Sequence, residues 1–183
     1  MVKTGATIMK NSDVNVLHCC EGGDCCCGDA NTKKIIVEYL YLDLKTCDRC
    51  IGTVDVLDEV MDMLVPVLEM AGYKVEYKKI EIQTEEMAEQ HHFLSSPTIQ
   101  VNGQDIFQEV TETNCECCGE ICGTDVDCRV FEKDGQKYEV PSKAMLGDAI
   151  LRSVYVPKSC CCSEYKLPDN LKRFFTGKMQ REI

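Results

Sequence analysis

The sequence predicts an α/β fold built on a mixed sheet flanked by helices. Runs rich in β-branched and aromatic residues are separated by segments whose apolar residues recur at helical spacing. Asn-Gly and Asp-Gly pairs then mark two tight hairpins. Strands separated by helices favour parallel pairing, whereas hairpins add antiparallel strands. The order β-α-β-α-β-β, with a helix to follow, therefore predicts a mixed sheet.

A strand, a long helix and a second strand open this fold. Residues 35–44 are rich in β-branched and aromatic side chains and predict the first strand. Pro66 is expected to kink the helix that follows, and Gly72 to end it. Residues 75–82 alternate in character and predict the second strand. The apolar face of the helix is Val54, Leu57, Met61, Leu64 and Leu68.

A short helix, two hairpins and a further helix complete the predicted domain. Thr84 is expected to be the N-cap of the short helix, and Ser142 that of the later one. The pairs Asn102-Gly103 and Asp134-Gly135 predict the two hairpin turns. The hairpin strands are predicted over residues 98–101, 104–110, 128–131 and 137–140.

The chain is predicted to hold one domain with cysteine-rich appendages. Residues 1–32 lack hydrophobic periodicity and carry cysteines among Gly and Asp, which predicts a flexible arm. The domain is placed at residues 33–155 and includes a cysteine-rich loop over 112–128. Residues 156–183 are predicted to be a cysteine-containing tail with a short helix.

The composition excludes several classes of function. The formal net charge is −11 and the pI is near 4.7, which disfavours both nucleic acid and a membrane surface as partners. No run of about 18 apolar residues predicts a membrane span. The first residues also lack the apolar core of a signal peptide, so we expect a cytoplasmic protein.

Cysteine is the unusual component of the sequence. The chain of 183 residues has 15 cysteines, an odd number that excludes complete internal pairing. Many are adjacent in sequence, and neighbouring Cα atoms are closer than a disulfide usually requires. In a reducing compartment such clusters favour soft metal ions or thiol chemistry. The runs are Cys19-Cys20, Cys25-Cys26-Cys27, Cys117-Cys118 and Cys160-Cys161-Cys162.

The motif Cys47-Asp48-Arg49-Cys50 lies where the first strand gives way to the first long helix. The free N–H groups and dipole of a helix start stabilise a thiolate there. We expect Cys47 to be an exposed nucleophile and Cys50, one turn further, a more buried resolving thiol. The positive charge of Arg49 is expected to lower a thiol pKa further.

The surrounding residues resemble an uncharacterised thioredoxin-like family, the DUF2703 domain, over residues 33–155. The resemblance is carried by the CxxC motif together with three runs: Leu40-Tyr41-Leu42-Asp43, Phe93-Leu94-Ser95-Ser96-Pro97-Thr98-Ile99 and Val101-Asn102-Gly103-Gln104-Asp105-Ile106. It implies a thioredoxin fold in which Pro97 is cis and faces the CxxC pair. It also implies that the backbone of Ser96 contacts a bound thiol substrate. It implies no established activity.

The chain departs from ordinary thioredoxins. It has no Trp before the CxxC motif, since it has no Trp at all. It also carries the cysteine-rich insertion and the cysteine-rich arms. These departures count against general reduction of protein disulfides.

Five further cysteines follow the first hairpin and are candidate metal ligands. They are Cys115, Cys117, Cys118, Cys122 and Cys128. Gly119 and Gly123 give this backbone the freedom to wrap an ion. Four thiolates suit zinc, whereas two or three suit Cu(I) or a metalloid such as arsenite. The alternatives are a disulfide that pins the loop, or a relay in which a loop cysteine accepts the Cys47–Cys50 disulfide.

The sequence leaves three functions open. The first is a thiol-disulfide oxidoreductase that uses Cys47 and Cys50 on a protein or small-molecule thiol or disulfide partner, including metal- or metalloid-thiol substrates. The second is a protein that binds or shuttles a soft ion such as Zn, Cu(I), As(III) or Hg(II) without turnover. It would use the loop and arm cysteines, with Cys47 and Cys50 as further ligands. The third is a structural domain in which zinc or a disulfide staples the loop.

Overall fold

The computed structural model describes residues 34–107, 109–156 and 165–181. The predicted arm 1–32 and the run Cys160-Cys161-Cys162 lie outside the described residues. Within the described ranges the chain forms these strands and helices: β1 (Lys34–Tyr41), α1 (Asp48–Met70), β2 (Lys74–Glu81), α2 (Glu85–Gln90), β3 (Thr98–Val101), β4 (Gln104–Asp105), β5 (Thr111–Asn114), α3 (Glu116–Cys122), β6 (Asp127–Lys133), β7 (Gln136–Tyr138), α4 (Lys143–Tyr155) and α5 (Asp169–Arg181).

The first four strands form a mixed sheet in the order β2-β1-β3-β4. β1 and β2 run parallel, with Lys34 opposite Lys74 and Tyr41 opposite Glu81. β3 is antiparallel to both β1 and β4. Helices flank this sheet, so the predicted fold class is confirmed, and the arrangement is consistent with a thioredoxin-like one.

The predicted caps and turns of the domain are confirmed. The Thr84 side chain accepts a hydrogen bond from the Met87 N–H, and Ser142 accepts one from the Met145 N–H. Asn102 and Gly103 have φ angles of 52° and 74°, as a type I′ hairpin turn requires. Asp134 and Gly135 adopt the same left-handed conformation between β6 and β7.

The prediction of a loop over residues 112–128 is wrong. This segment contains most of strand β5, helix α3 and the start of β6. β5, β6 and β7 form a second, antiparallel sheet. Thr111 and Thr113 are β-branched residues that favour a strand, but the prediction gave more weight to the cysteines that follow. α3 ends at Gly123, whose φ of 76° is the left-handed cap that glycine provides.

The strand predicted over 104–110 is much shorter than expected. β4 ends at Asp105, whose carboxylate accepts a hydrogen bond from the Phe107 N–H at 2.9 Å. This local bond turns the backbone away from the sheet.

The longest helix, α1, has 23 residues and includes Pro66. It ends at Met70, ahead of Gly72 with its φ of 88°. In the described ranges, every helix falls short of the length or the apolar character that crossing a bilayer demands.

The buried apolar residues form two clusters, and the buried cysteines of the described ranges all belong to the second. The first contains the middle of α1 with Leu57 and Met61, packed with Ile99 and with Leu146 of α4. The second contains the start of α1, several cysteines and three side chains of α5. Those side chains are Leu171, Phe174 and Phe175.

Candidate metal centre

Four cysteines from three distant segments bring their sulfur atoms together. We call Cys47, Cys115, Cys118 and Cys128 the four-sulfur group. Their Sγ atoms all lie within 4.8 Å of one another. The Cys47 and Cys115 sulfurs are 4.0 Å apart, and those of Cys118 and Cys128 are 3.3 Å apart. A zinc ion with four sulfurs at about 2.3 Å would place neighbouring sulfurs about 3.8 Å apart, so the group could hold such an ion.

Secondary structure places each of these sulfurs. Cys47 is the N-cap residue of α1, and Cys115 is the N-cap residue of α3. Cys118 lies one turn into α3, on the same side as Cys115. Cys128 pairs with Thr113 across β5 and β6, which brings it beside the start of α3. Two helix starts and a strand pair therefore converge on one point.

A carboxylate shapes the turn before Cys47. Asp43 Oδ2 accepts hydrogen bonds from the N–H groups of Lys45 at 2.8 Å, Thr46 at 2.6 Å and Cys47 at 3.2 Å. Partial burial raises the pKa of Asp43, but the bonds from Thr46 and Lys45 outweigh it and lower that pKa below its ordinary value. The ionised side chain thus holds the backbone that presents Cys47.

The four-sulfur group is almost completely shielded from solvent. Cys47, Cys118 and Cys128 are 0% exposed and Cys115 is 4% exposed. Our expectation that Cys47 is an exposed nucleophile is therefore wrong, because its side chain is buried in the second cluster. Cys115 lines a cavity of about 590 Å³.

The thiols of the group perturb one another strongly. Hydrogen bonds from Cys115, then Cys118 and Cys128, lower the pKa of Cys47 far below its ordinary value. Hydrogen bonds from Cys118 and Cys128 lower the pKa of Cys115 to about 7. The pKa values of Cys118 and Cys128 are raised, first through their hydrogen bonds with Cys115. Without a cation, negative charge is therefore favoured on Cys47 and Cys115, while Cys118 and Cys128 keep their protons. A bound dication would favour the thiolate form of all four.

Cys50 lies beside the group but is not part of it. Its sulfur is 3.3 Å from Ser96 Oγ, and that oxygen accepts a hydrogen bond from the Leu42 N–H. The hydrogen bond with Cys47 and burial raise the pKa of Cys50. The peptide bond between Ser96 and Pro97 is cis, as the family resemblance implies. Cys50 is 0% exposed.

Arg49 interacts with backbone rather than with a thiol. The expected effect of its charge on a thiol pKa stays a prediction. Its guanidinium donates hydrogen bonds to three backbone carbonyls, those of Thr113, Asn114 and Cys128, and to the Glu139 carboxylate.

Cys117 and Cys122, the other two predicted ligands, lie outside the four-sulfur group. Cys117 is half-buried on α3. The Cys122 sulfur donates to the Thr124 carbonyl at 3.3 Å. The carbonyl and Cβ of Cys122 lie beside Gly177 of α5. All seven described cysteines have free thiols in this structure.

The fold and the site define a mixed α/β protein with a buried group of four cysteines that could hold a metal ion. A family model described as a domain of unknown function (DUF2703) matches residues 35–150, and the chain belongs to this family. No curated protein and no solved structure matches the chain.

Proposed function

We propose that this protein binds a soft metal ion through the thiolates of Cys47, Cys115, Cys118 and Cys128, and that the ion is zinc. The observation that carries this proposal is the convergence of four buried sulfurs within 4.8 Å. Thiolates are the ligands that soft ions prefer, and a closed set of four is the arrangement of structural zinc sites.

The number of sulfurs favours zinc over Cu(I) and arsenite. Cu(I) and arsenite are satisfied by two or three thiolates, which would leave one buried cysteine without a role. Four protein ligands leave no open position for water or substrate, so the proposed role is binding rather than metal-assisted catalysis. A reducing cytoplasm, which the sequence suggests, would keep the thiols available.

The proposed ion would also join parts of the fold that are far apart in sequence. Cys47 belongs to α1, Cys115 and Cys118 to α3, and Cys128 to β6. Because the ligands would be dispersed in the unfolded chain, the free energy of metal binding would contribute to the free energy of folding.

The test is anaerobic purification followed by elemental analysis. Eight cysteines outside the described residues could bind metal as well, so a second full-length protein, the serine-arm variant, is needed. It carries Cys19→Ser, Cys20→Ser, Cys25→Ser, Cys26→Ser, Cys27→Ser, Cys160→Ser, Cys161→Ser and Cys162→Ser. Both proteins should retain a zinc ion at the four-sulfur group.

Replacement of single cysteines locates the ion. In the serine-arm variant, Cys128→Ser should abolish stoichiometric zinc, whereas the matched control Cys117→Ser, on the half-buried face of α3, should retain it. Absence of zinc from the serine-arm variant with no further replacement would overturn the proposal. Equal loss of zinc in both replacements would also overturn it.

A second candidate function is thiol-disulfide exchange, with Cys47 attacking and Cys50 resolving the mixed disulfide. It is favoured by the position of Cys50, which stays outside the four-sulfur group and contacts Ser96 beside Pro97. In this function Ser96 and Pro97 would form the groove for a thiol or disulfide partner. Cys50→Ser separates the two functions, because it should remove a reversible two-electron potential and leave zinc bound.

A further inference from the structure

One side chain connects the three segments that carry the four sulfurs. Arg49 Nη1 donates to the carbonyl of Thr113 at 3.0 Å and to that of Cys128 at 3.1 Å. Arg49 Nη2 donates to the carbonyl of Asn114 at 2.8 Å and to Glu139 Oε1 at 2.6 Å. The guanidinium fork therefore uses both terminal nitrogens on four acceptors, an arrangement that the single ammonium of a lysine could not reproduce.

The acceptors lie in the segments that carry the sulfurs. Arg49 itself follows Cys47 in the first turn of α1. Asn114 directly precedes Cys115, and the third carbonyl belongs to Cys128. Thr113 and Cys128 are paired residues of β5 and β6, so the Arg49 guanidinium bonds to the backbone of both paired strands. A change in these bonds would move Cys47 relative to Cys115 and Cys128.

The charge of Arg49 is suited to the same site. A dication with four thiolates carries two net negative charges, and burying them without a nearby cation is costly. Among the described residues, Arg49 and Arg129 are the buried basic side chains. Arg129 is held by both oxygens of Asp105, at 3.0 and 2.6 Å. Arg49 has a more exposed partner, since the Glu139 side chain is 65% exposed and its charge is therefore more screened by water.

From these contacts we propose that Arg49 is the positioning residue of the four-sulfur site, and that its charge favours a dication held by four thiolates. This inference rests on the metal-binding function proposed above. It assigns to Arg49 the outer contacts that orient metal ligands and adjust their electrostatics.

The first test compares Arg49→Gln with Arg49→Lys in the serine-arm variant. Zinc affinity, measured by competition with a chromophoric chelator, should fall about 10- to 100-fold in Arg49→Gln, the usual effect of losing such a contact. Arg49→Lys should recover part of this loss because it restores the charge. The intensity of the sulfur-to-metal charge-transfer bands of the Co(II) protein should fall in Arg49→Gln, since fewer thiolates would reach the ion.

The matched control is Arg152→Gln, which removes an arginine whose side chain is 74% exposed on α4 and pairs with Asp148. It should leave zinc affinity and the Co(II) spectrum unchanged. If Arg49→Gln also leaves both unchanged while the parent variant binds zinc through four thiolates, the inference about Arg49 fails and the metal-binding function stands. A parent variant that binds neither ion would instead refute that function.

A second variant decides the question even if Arg49→Gln does not fold. Glu139→Gln removes a mostly exposed negative charge and leaves the three carbonyl acceptors in place. If the charge of Arg49 favours the metal complex, zinc affinity should rise by a few-fold, because less of that charge is neutralised. A fall in affinity would show that Glu139 merely anchors the side chain, and would overturn the electrostatic part of the proposal.

Discussion

The Cys47 and Cys115 sulfurs lie 4.0 Å apart although 68 positions separate the two residues in sequence. Each residue is the N-cap of its own helix, where free N–H groups favour a thiolate. Neither cap residue uses its side chain to bond its own helix start. Both sulfurs are therefore free to point at a common ion, and the predictions below depend on that arrangement.

Metal binding should release protons. Hydrogen bonds to Cys115 raise the pKa values of Cys118 and Cys128, so these two thiols are protonated at neutral pH in the metal-free protein. A dication must displace both protons, and that of Cys115 as well below about pH 7. Apparent zinc affinity should therefore rise at least about 100-fold per pH unit near neutrality. Calorimetry of the serine-arm variant in buffers of different ionisation enthalpy counts the protons. A binding enthalpy that does not vary with the buffer would contradict this prediction.

Alkylation should report which ligand faces solvent. In the metal-free serine-arm variant, whose cysteines all lie in the described residues, iodoacetamide should modify the half-buried Cys117 first and Cys115 next, because Cys115 lines a cavity of about 590 Å³. Since hydrogen bonds lower the pKa of Cys115 to about 7, its modification rate should rise through that pH, well below the range of an ordinary thiol. Peptide mass mapping over time measures the order. Modification of Cys47 as fast as Cys117 would show that Cys47 is accessible after all.

Zinc and a Cys47–Cys50 disulfide should exclude each other because both need Cys47. A small-molecule disulfide would accept the two electrons and become two thiols, while Cys47 and Cys50 form a bond and zinc is released. We expect zinc release, followed with a chromophoric chelator, to coincide with a peptide that contains the intact Cys47–Cys50 disulfide. Cys50→Ser should bind zinc normally and release it much more slowly. Equal zinc release from the Cys50→Ser variant and from the protein with Cys50 intact would mean that other thiols form the disulfide.

The contact between α3 and α5 should control how firmly the site is closed. A Cβ atom at Gly177 would lie 2.2 Å from the Cys122 carbonyl oxygen, so Gly177→Ala must push α5 away from α3. We expect a lower free energy of unfolding and faster exchange of zinc with a chelator. Gly147→Ala on α4 is the matched control, since a Cβ there meets nothing within 4 Å. That control should stabilise the protein by about 0.5–1 kcal/mol, and a similar gain in Gly177→Ala would contradict the packing.

Local chemistry made much of the fold predictable. The caps at Thr84 and Ser142 and the turns at Asn102-Gly103 and Asp134-Gly135 depend on neighbouring residues, and the structure contains all four. The cis bond before Pro97 followed from the family resemblance rather than from local chemistry.

The site was only partly predictable, because it depends on contacts distant in sequence. Sequence spacing placed Cys115, Cys118 and Cys128 in one candidate group, and the metal-binding alternative added both Cys47 and Cys50 as further ligands. The spacing could not show that Cys117 and Cys122 lie outside the four-sulfur group, because helix α3 was mistaken for a loop. On a helix, Cys115 and Cys118 share a face, while Cys117 points elsewhere.

Two supporting features were missed for the same reason. The role of Arg49 depends on carbonyls 64 to 79 residues away, which no local pattern reveals. The burial of Cys47 depends on a cluster whose other members are distant in sequence. The role of Asp43 could have been predicted. Its carboxylate accepts a hydrogen bond from the N–H of Thr46, three residues later, and an Asp in this position is a recognisable turn pattern.

The most direct test of the proposed centre is zinc X-ray absorption spectroscopy of the serine-arm variant purified without added metal. The account predicts a first shell of four sulfur atoms at about 2.3 Å. A shell containing nitrogen or oxygen atoms, or fewer than four sulfurs, would contradict it.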